Sequence, residues 1–381
     1  MDYGLSEEQQ LFRDEMRKFA EQSLAPHYQE DDRTGEMSPS IRRECAAMGL
    51  LGLRIPDEYG GQDADAVAVG IAAEEMARAN INAAYLVLST ALVTDILLAG
   101  CTVEQRERWL PGIADGSVYP TLALTEPGHG SDAANIELAA RPTEDGWTLH
   151  GEKTSISLAH LADRAVVFAR TGGPGARGVS AFYVGLDAPG LSIVRLRDVG
   201  NRAAGRCSLF FDGVPVRRDE LVGTEGAGFV SVMQGFEYSR AIIGLMTLGT
   251  AAAALDDAME YARTRETFGA PIGTRQGVAF PLVEYATYVA GARHLCYEAL
   301  WRKDRGLDHT EAANMVKWWA PKIAVEAIHQ ALLTFGHGAW SDDNPQSQRL
   351  RDAMGFEIAD GTAQIAKLVV ARHLLGRPYA P

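Results

Sequence analysis

The chain has 381 residues, 46% of them hydrophobic, with 36 Lys and Arg against 50 Asp and Glu, a formal net charge of −14. That length supports a large core and more than one structural unit, and the acidic balance argues against a nucleic-acid partner. Cys45, Cys101, Cys207 and Cys296 stand far apart with no CxxC pair, which argues against structural zinc or a disulfide scaffold and suits a reducing cytoplasm.

The acidic start, Met-Asp-Tyr-Gly-Leu-Ser-Glu-Glu, does not read as a signal peptide. Ser6 and Gln9 form a capping-box start, and Leu11, Phe12, Met16 and Phe19 recur at helical spacing. Ser38-Pro39 marks a second helix start, with Pro39 at the first helical position. Pro56, Gly60 and Gly61 break the pattern before a helical run from Ala64 to Asn80, then helices over 82–99 and 103–113. The apolar stretch from Ala83 to Gly100 is interrupted by Ser89, Thr90, Thr94 and Asp95, so it reads as a buried helix and not a membrane span.

Near Ser117 the periodicity changes. Short β-rich pieces follow at Val118–Thr125, Trp147–His150, Ala165–Ala169, Val179–Val184, Leu191–Val194 and Cys207–Phe211, separated by Gly-, Pro- and Asp-containing turns. They read as a small β-barrel or sandwich. Beyond Gly226 the chain is helical again: Gly228 to about Arg265, Val278 to Arg305, His309 to Thr334 and Thr362 to Leu375.

Two segments carry the strongest chemical signal. Residues 123–132, Ala-Leu-Thr-Glu-Pro-Gly-His-Gly-Ser-Asp, form a polar turn entered from an apolar run, suited to offer N–H groups and hydroxyls to a flat or anionic ligand. Residues 356–364, Phe-Glu-Ile-Ala-Asp-Gly-Thr-Ala-Gln, place a lone carboxylate, Asp360, beside a flexible glycine and two hydrogen-bonding side chains. A bland use of Asp360 is as the cap of the last helix, and of 125–132 as an ordinary loop with Glu126 in solvent.

Together these segments resemble the acyl-CoA dehydrogenase family of flavoproteins, and the resemblance spans essentially the whole chain. It implies an α+β multidomain fold with an N-terminal all-α domain (1–116), a middle β-barrel or sandwich domain (117–225) and a C-terminal four-helix bundle (226–381). It also implies FAD as cofactor, an acyl-CoA substrate, electron-transfer flavoprotein or a similar acceptor, a homo-oligomer built as a dimer of dimers, a cytoplasmic location, and neither membrane nor nucleic-acid binding. No metal is implied.

Carried over residue by residue, the resemblance sets Leu124 and Thr125 against the flavin ring and Gly130 and Ser131 at the pyrophosphate, with Ser131 also at the CoA. His129 stands where a small residue is usual. Gly151-Glu-Lys153-Thr-Ser155-Ile-Ser157 resembles the second flavin segment, with Ser155 in place of the usual tryptophan, and Ser155 and Ser157 placed to hold N5 and O4 of the flavin. Arg265, Phe268 and Gln276 match the Arg-x-Thr-Phe-Gly…Gln pattern whose arginine reaches the FAD diphosphate of a neighbouring subunit. Gly336 lies in a turn at the adenosine half of FAD, where His337 and Leu333 depart from the pattern.

Asp360 takes the place of the family's glutamate base, one methylene shorter, with Ala359 replacing an aromatic, and Thr362 and Gln364 at the flavin. Ser239, where some relatives put their carboxylate, is no base at neutral pH. Arg240 is expected near the CoA cleft or in a structural ion pair. Asp95 is expected either as an ion-pair partner or as a second acid near the substrate. In the implied reaction Asp360 removes the α-proton while the β-hydride moves to flavin N5. The segments at 151–157 and 360–364 most resemble members acting on alicyclic acyl-CoA substrates such as cyclohexane- or cyclohexene-carboxyl-CoA, and the enlarged space at 359–360 would admit such an α-branched ring. Alternatives on the same fold are a nitroalkane-oxidase-like flavin oxidase, a dehydrogenase of a carrier-protein thioester, and a non-enzymatic interaction module.

Overall fold

The structure, a computed structural model, describes residues 4–381, with every side chain among them except those of Val230, Ser231 and Gln234. Met1–Tyr3 of the acidic start lie outside the described residues. Helix α1 (Glu7–Phe19) begins with the expected reciprocal cap: Gln9 N donates to Ser6 Oγ and Ser6 N to Gln9 Oε1, each at 3.1 Å. Helices α2 (Tyr28–Thr34) and α3 (Pro39–Ala47) follow, the latter with Pro39 in its first turn.

Helix α4 (Ala66–Gly100) is continuous but kinked at Asn80, whose φ/ψ of −155°/97° is not helical. Asn80 Oδ1 accepts from the N–H groups of Asn82 and Ala83 at 3.1 and 3.2 Å, restarting the helix as a cap would. The break expected between 80 and 82 is this capped kink. Helix α5 (Val103–Ala114) starts on a Thr102/Gln105 capping box.

Eight strands follow: β1 (Pro120–Ala123), β2 (Ala139–Pro142), β3 (Gly146–Ser157), β4 (Arg164–Arg170), β5 (Val179–Gly185), β6 (Leu191–Arg195), β7 (Arg206–Arg217) and β8 (Leu221–Val222). They form one mixed sheet in the order β6-β7-β3-β2-β4-β5-β8, with β1 parallel to β4. The rings of Trp147 on β3 and Phe182 on β5 meet at 5.2 Å although β2 and β4 lie between those strands, so the sheet curls around its own core. Its other side, including Phe168 and Tyr183, packs on α4 and α5 residues such as Ile96 and Trp109.

The sequence pattern missed β2 and cut β3 and β7 short. Strand β2 is short and carries Arg141 and Pro142, and the polar stretch Gly151–Ser157 is held as strand by its ladder with β7, through register shifts at Leu149/His150 and Lys153/Ile156.

The C-terminal third consists of α6 (Gly228–Thr264), a β9–β10 hairpin (Glu266–Thr267, Ala270–Pro271), α7 (Gln276–Asp304), α8 (Thr310–Phe335), α9 (Gln346–Met354) and α10 (Ala363–Leu375). Helix α9 has no apolar stripe, and its buried face is largely Gln346, Gln348 and Asp352. Helices α4 and α6 share the main core. They approach so closely at Gly249 that a Cβ there would lie 2.4 Å from Glu74 O. Both α4 and the Gly235–Thr264 part of α6 have the length and apolarity of a membrane span, yet both are mostly buried inside the fold.

Candidate active site

The turn after β1 and the middle of β3 are locked together by a buried charge pair. Lys153 Nζ, fully buried, donates to Glu126 Oε1 and to Leu124 O, both at 2.8 Å. Glu126 also accepts from the N–H groups of Glu137 (2.6 Å) and Leu138 (2.8 Å), so it is not a solvated loop residue. Burial pulls the Lys153 ammonium down to about 8, against the opposing pull of Glu126. Thr154 N donates to Thr125 O at 2.9 Å and Thr121 Oγ1 to Ser157 O at 2.8 Å. The two expected flavin segments therefore lie side by side, with Leu124 buried and Thr125, Ser155 and Ser157 half-buried. Gly130 and Ser131 are exposed at the lip, and a Cβ on Gly128 or Gly130 would meet open space.

Ser155 occupies a left-handed backbone position, φ 60°, and its Oγ accepts from Arg206 Nη1 at 3.1 Å. Asp198 holds that guanidinium, Nε to Oδ2, at 3.0 Å. Where the resemblance expects a tryptophan, this chain has a serine held by a charged pair.

The carboxylate half is assembled from α6, α8 and the segment before α10. Asp360 is half-buried, with φ 55°, and its Oδ2 accepts from Ser239 Oγ at 2.6 Å. Burial pushes the Asp360 carboxyl above its ordinary range, opposed by Arg240, by the Ser239 hydrogen bond and by Lys317. Lys317, buried on α8, donates to Phe356 O at 2.9 Å, and burial brings its ammonium down to about 8 although Asp360 pulls the other way. Thr362, not Asp360, caps α10, its Oγ1 accepting from Ile365 N at 3.4 Å. Gln364 lies exposed in the first turn of that helix.

Arg240 is 8% exposed and donates to Asn314 Oδ1 at 3.0 Å, while its Nε has no partner. A Cβ on Gly361 would lie 3.6 Å from its Nη2. It lies beside Asp360, and its hydrogen-bond partner is an amide, not a carboxylate.

The halves meet through Tyr85 of α4, whose ring stacks on Phe356 at 5.2 Å and whose carbonyl accepts from Tyr119, just before β1. Of the two expectations for Asp95, its contacts match the ion-pair one. One of its oxygens takes Arg54 Nε at 3.1 Å and the other Lys303 Nζ at 2.8 Å, so each is engaged in an ion pair.

Arg265, Phe268, Gln276 and Gly336 are all exposed, and Phe268 is 97% so. Stacking of Tyr261 on Phe335, 4.6 Å apart, brings Arg265 and Gly336 to the same end of the bundle. That end is far from Asp360. Arg265 follows Ser239 by 26 residues along α6, about 39 Å at a helical rise of about 1.5 Å per residue. Sequence reasoning assigned no role to Lys153, Glu126 or Lys317. Their signal was a charge inside an otherwise apolar or strand-forming run.

Family models for the acyl-CoA dehydrogenase N-terminal, middle and C-terminal domains match residues 6–117, 121–214 and 226–375. An acyl-CoA dehydrogenase of Bacillus subtilis (strain 168) is 34% identical over 98% of this chain and 99% of its own. The mitochondrial short-chain specific acyl-CoA dehydrogenase of Bos taurus is 34% identical over 97% of this chain and 91% of its own. This chain belongs to the acyl-CoA dehydrogenase family. Among solved structures, PigA with FAD and proline matches at TM-score 0.95 and 26% identity, covering 99% of this chain and 100% of that one. None of these relatives is named for an alicyclic substrate.

The chain is thus an oxidoreductase whose family cofactor is FAD. The residues here fit it. The Thr125 and Ser157 hydroxyls have no side-chain hydrogen bond among the described residues, and the glycine-lined lip at 128–131 is open for a ligand.

Proposed function

We propose that this acyl-CoA dehydrogenase oxidises the Cα–Cβ bond of an acyl-CoA thioester with Asp360 as the base. The observation that carries this is the placement of Asp360. It is a carboxylate made more basic by burial, flanked by the cations of Arg240 and Lys317, on a segment that Tyr85 joins to Tyr119, just before the strand leading into the flavin-side turn. FAD, when bound, supplies the two-electron acceptor. The chain itself binds and orients. Leu124, Thr125, Ser155, Ser157, Thr362 and Gln364 face the flavin, Gly130 and Ser131 take phosphate and CoA, and Asp360 takes the α-proton. In this reading 1–116 and 226–381 supply the helical walls and the base, and 117–225 the flavin face.

The small side chains at Ala359 and Asp360 leave room at Cα for a ring or branch, and we assign an alicyclic or branched acyl group on that ground. The distance of Arg265, Phe268, Gln276 and Gly336 from Asp360 supports a homo-oligomer in which these residues serve a neighbour's FAD. Sedimentation of the holoprotein as a monomer would remove this arm. The electron acceptor is an electron-transfer flavoprotein-like protein, and the compartment the cytoplasm.

Anaerobic bleaching of the flavin tests the reading. Asp360→Asn retains FAD and loses reduction by about 10²–10⁴-fold. Bleaching of Asp360→Asn at the wild-type rate refutes the base. Turnover of butyryl-CoA or octanoyl-CoA as well as cyclohexanecarboxyl-CoA refutes the alicyclic assignment alone.

A further inference from the structure

Asp360 is poorly held by its own segment. Its backbone is left-handed, φ 55°, a conformation that costs a non-glycine residue energy unless its surroundings impose it. The preceding residues give it no packing wall, since Ile358 is 71% exposed and Ala359 is exposed. The segment is tied down at Phe356 O by Lys317 and by the Ala359 N–H to Gly355 O turn, but neither bond touches the carboxylate. Among the described residues the side-chain hydrogen bond on the carboxylate comes from Ser239, 99% buried on α6.

That hydroxyl has one proton and two acceptors in reach, Phe236 O at 3.2 Å and Asp360 Oδ2 at 2.6 Å. The ionised carboxylate is the stronger acceptor and the closer one, so it takes the proton while Asp360 is charged. Oδ2 is then engaged, and Oδ1 is the oxygen with no side-chain hydrogen bond among the described residues, the freer one to accept a proton from carbon.

We propose that Ser239 is the positioning residue of the base: it pins Oδ2, directs Oδ1 at the substrate and sets the basicity of a carboxylate that is one methylene short. This rests on the reading of Asp360 as base. The groups facing Asp360 are Ser239 and Arg240 from α6 and Lys317 from α8, and Lys317 in turn faces Glu357 of the Asp360 segment. Removing the hydroxyl leaves the two cations in place, so the Ser239 contribution can be separated from theirs.

The test uses holoprotein carrying Ser239→Ala, Ser239→Thr or Asp360→Asn. Each is reduced anaerobically by the best reductant among butyryl-, octanoyl- and cyclohexanecarboxyl-CoA, unlabelled and α-deuterated, across the acid range of pH. Ser239→Ala is expected to slow reduction about ten-fold without changing half-saturation. It is also expected to move the acid limb of the rate up by about one pH unit, the size of one hydrogen bond to a charged group. Ser239→Thr restores both. An unmoved acid limb in Ser239→Ala, whatever its rate, overturns the proposal. If Asp360→Asn abolishes reduction while Ser239→Ala matches wild type, only the positioning role falls. If Asp360→Asn reduces normally, the base reading falls and takes this one with it.

Discussion

At half-buried Asp360 and buried Lys317 two charges of opposite sign depend on each other. A carboxyl raised by burial is protonated, and inactive as a base, over a wider acid range than an ordinary aspartate, and the Lys317 cation limits that rise. Lys317→Met is therefore expected to shift the acid limb of flavin reduction to higher pH. The same substitution affects stability. The lysine is pulled down to about 8 in the fold from 10.5, so the unfolded chain binds more protons between those values and stability rises with pH across that window. Thermal unfolding as a function of pH should show this rise in the wild type and a flatter curve in Lys317→Met. The roles of these residues were only partly legible. Asp360 stood out by motif, but Lys317 sits in an apolar helical run and acquires meaning only when Phe356 and Asp360 are folded against it.

Between elements, the Lys153–Glu126 pair does what no propensity could. It joins the turn after β1 to β3, and with the β3–β7 ladder it keeps Gly151–Ser157 extended. Taking one partner from a buried pair leaves an uncompensated charge, at a cost of about 3–5 kcal/mol. Lys153→Met is expected to destabilise the fold by that order and to release FAD at lower denaturant than wild type. Parallel absorbance and circular dichroism titrations measure both, and unaltered flavin retention would show that the pair has no part in holding the flavin face. Helices with caps and stripes, such as α1 and α5, were legible from residue order. Strand β2 and helix α9 were not, because one is short and polar and the other buries amides and a carboxylate, which carry no periodic signal.

Across the whole molecule, Asp352 ties three parts of the chain together. Its Oδ2 accepts from Tyr28 Oη at 2.9 Å and from Asn82 Nδ2 at 3.1 Å, its Oδ1 from Asn201 N, and its carbonyl from Asn201 Nδ2 at 2.8 Å. Burial pushes this carboxyl up to about 6, against the Asn201 N–H, the Tyr28 hydroxyl and Arg351. Because the folded state holds the proton more tightly, stability falls as pH rises from the unfolded value near 4 through about 6, by roughly 3 kcal/mol in all. Asp352→Asn is expected to remove that slope from the urea midpoint measured between those pH values. Retention of the slope would place the proton elsewhere.

Local order in the sequence determined most helices, most strands and the α-then-β-then-α arrangement, because caps, periodicity and turn residues act over a few neighbours, while the two flavin-type segments and the carboxylate at 360 were singled out by resemblance to the family. Only the tertiary structure decided that Asp95 is spent on Arg54 and Lys303, that Thr362 caps α10 in place of Asp360, that Ser239 reaches the carboxylate, and that Arg265 lies far from it. These outcomes depend on which distant side chains share a desolvated space, and residue order alone does not encode that distance.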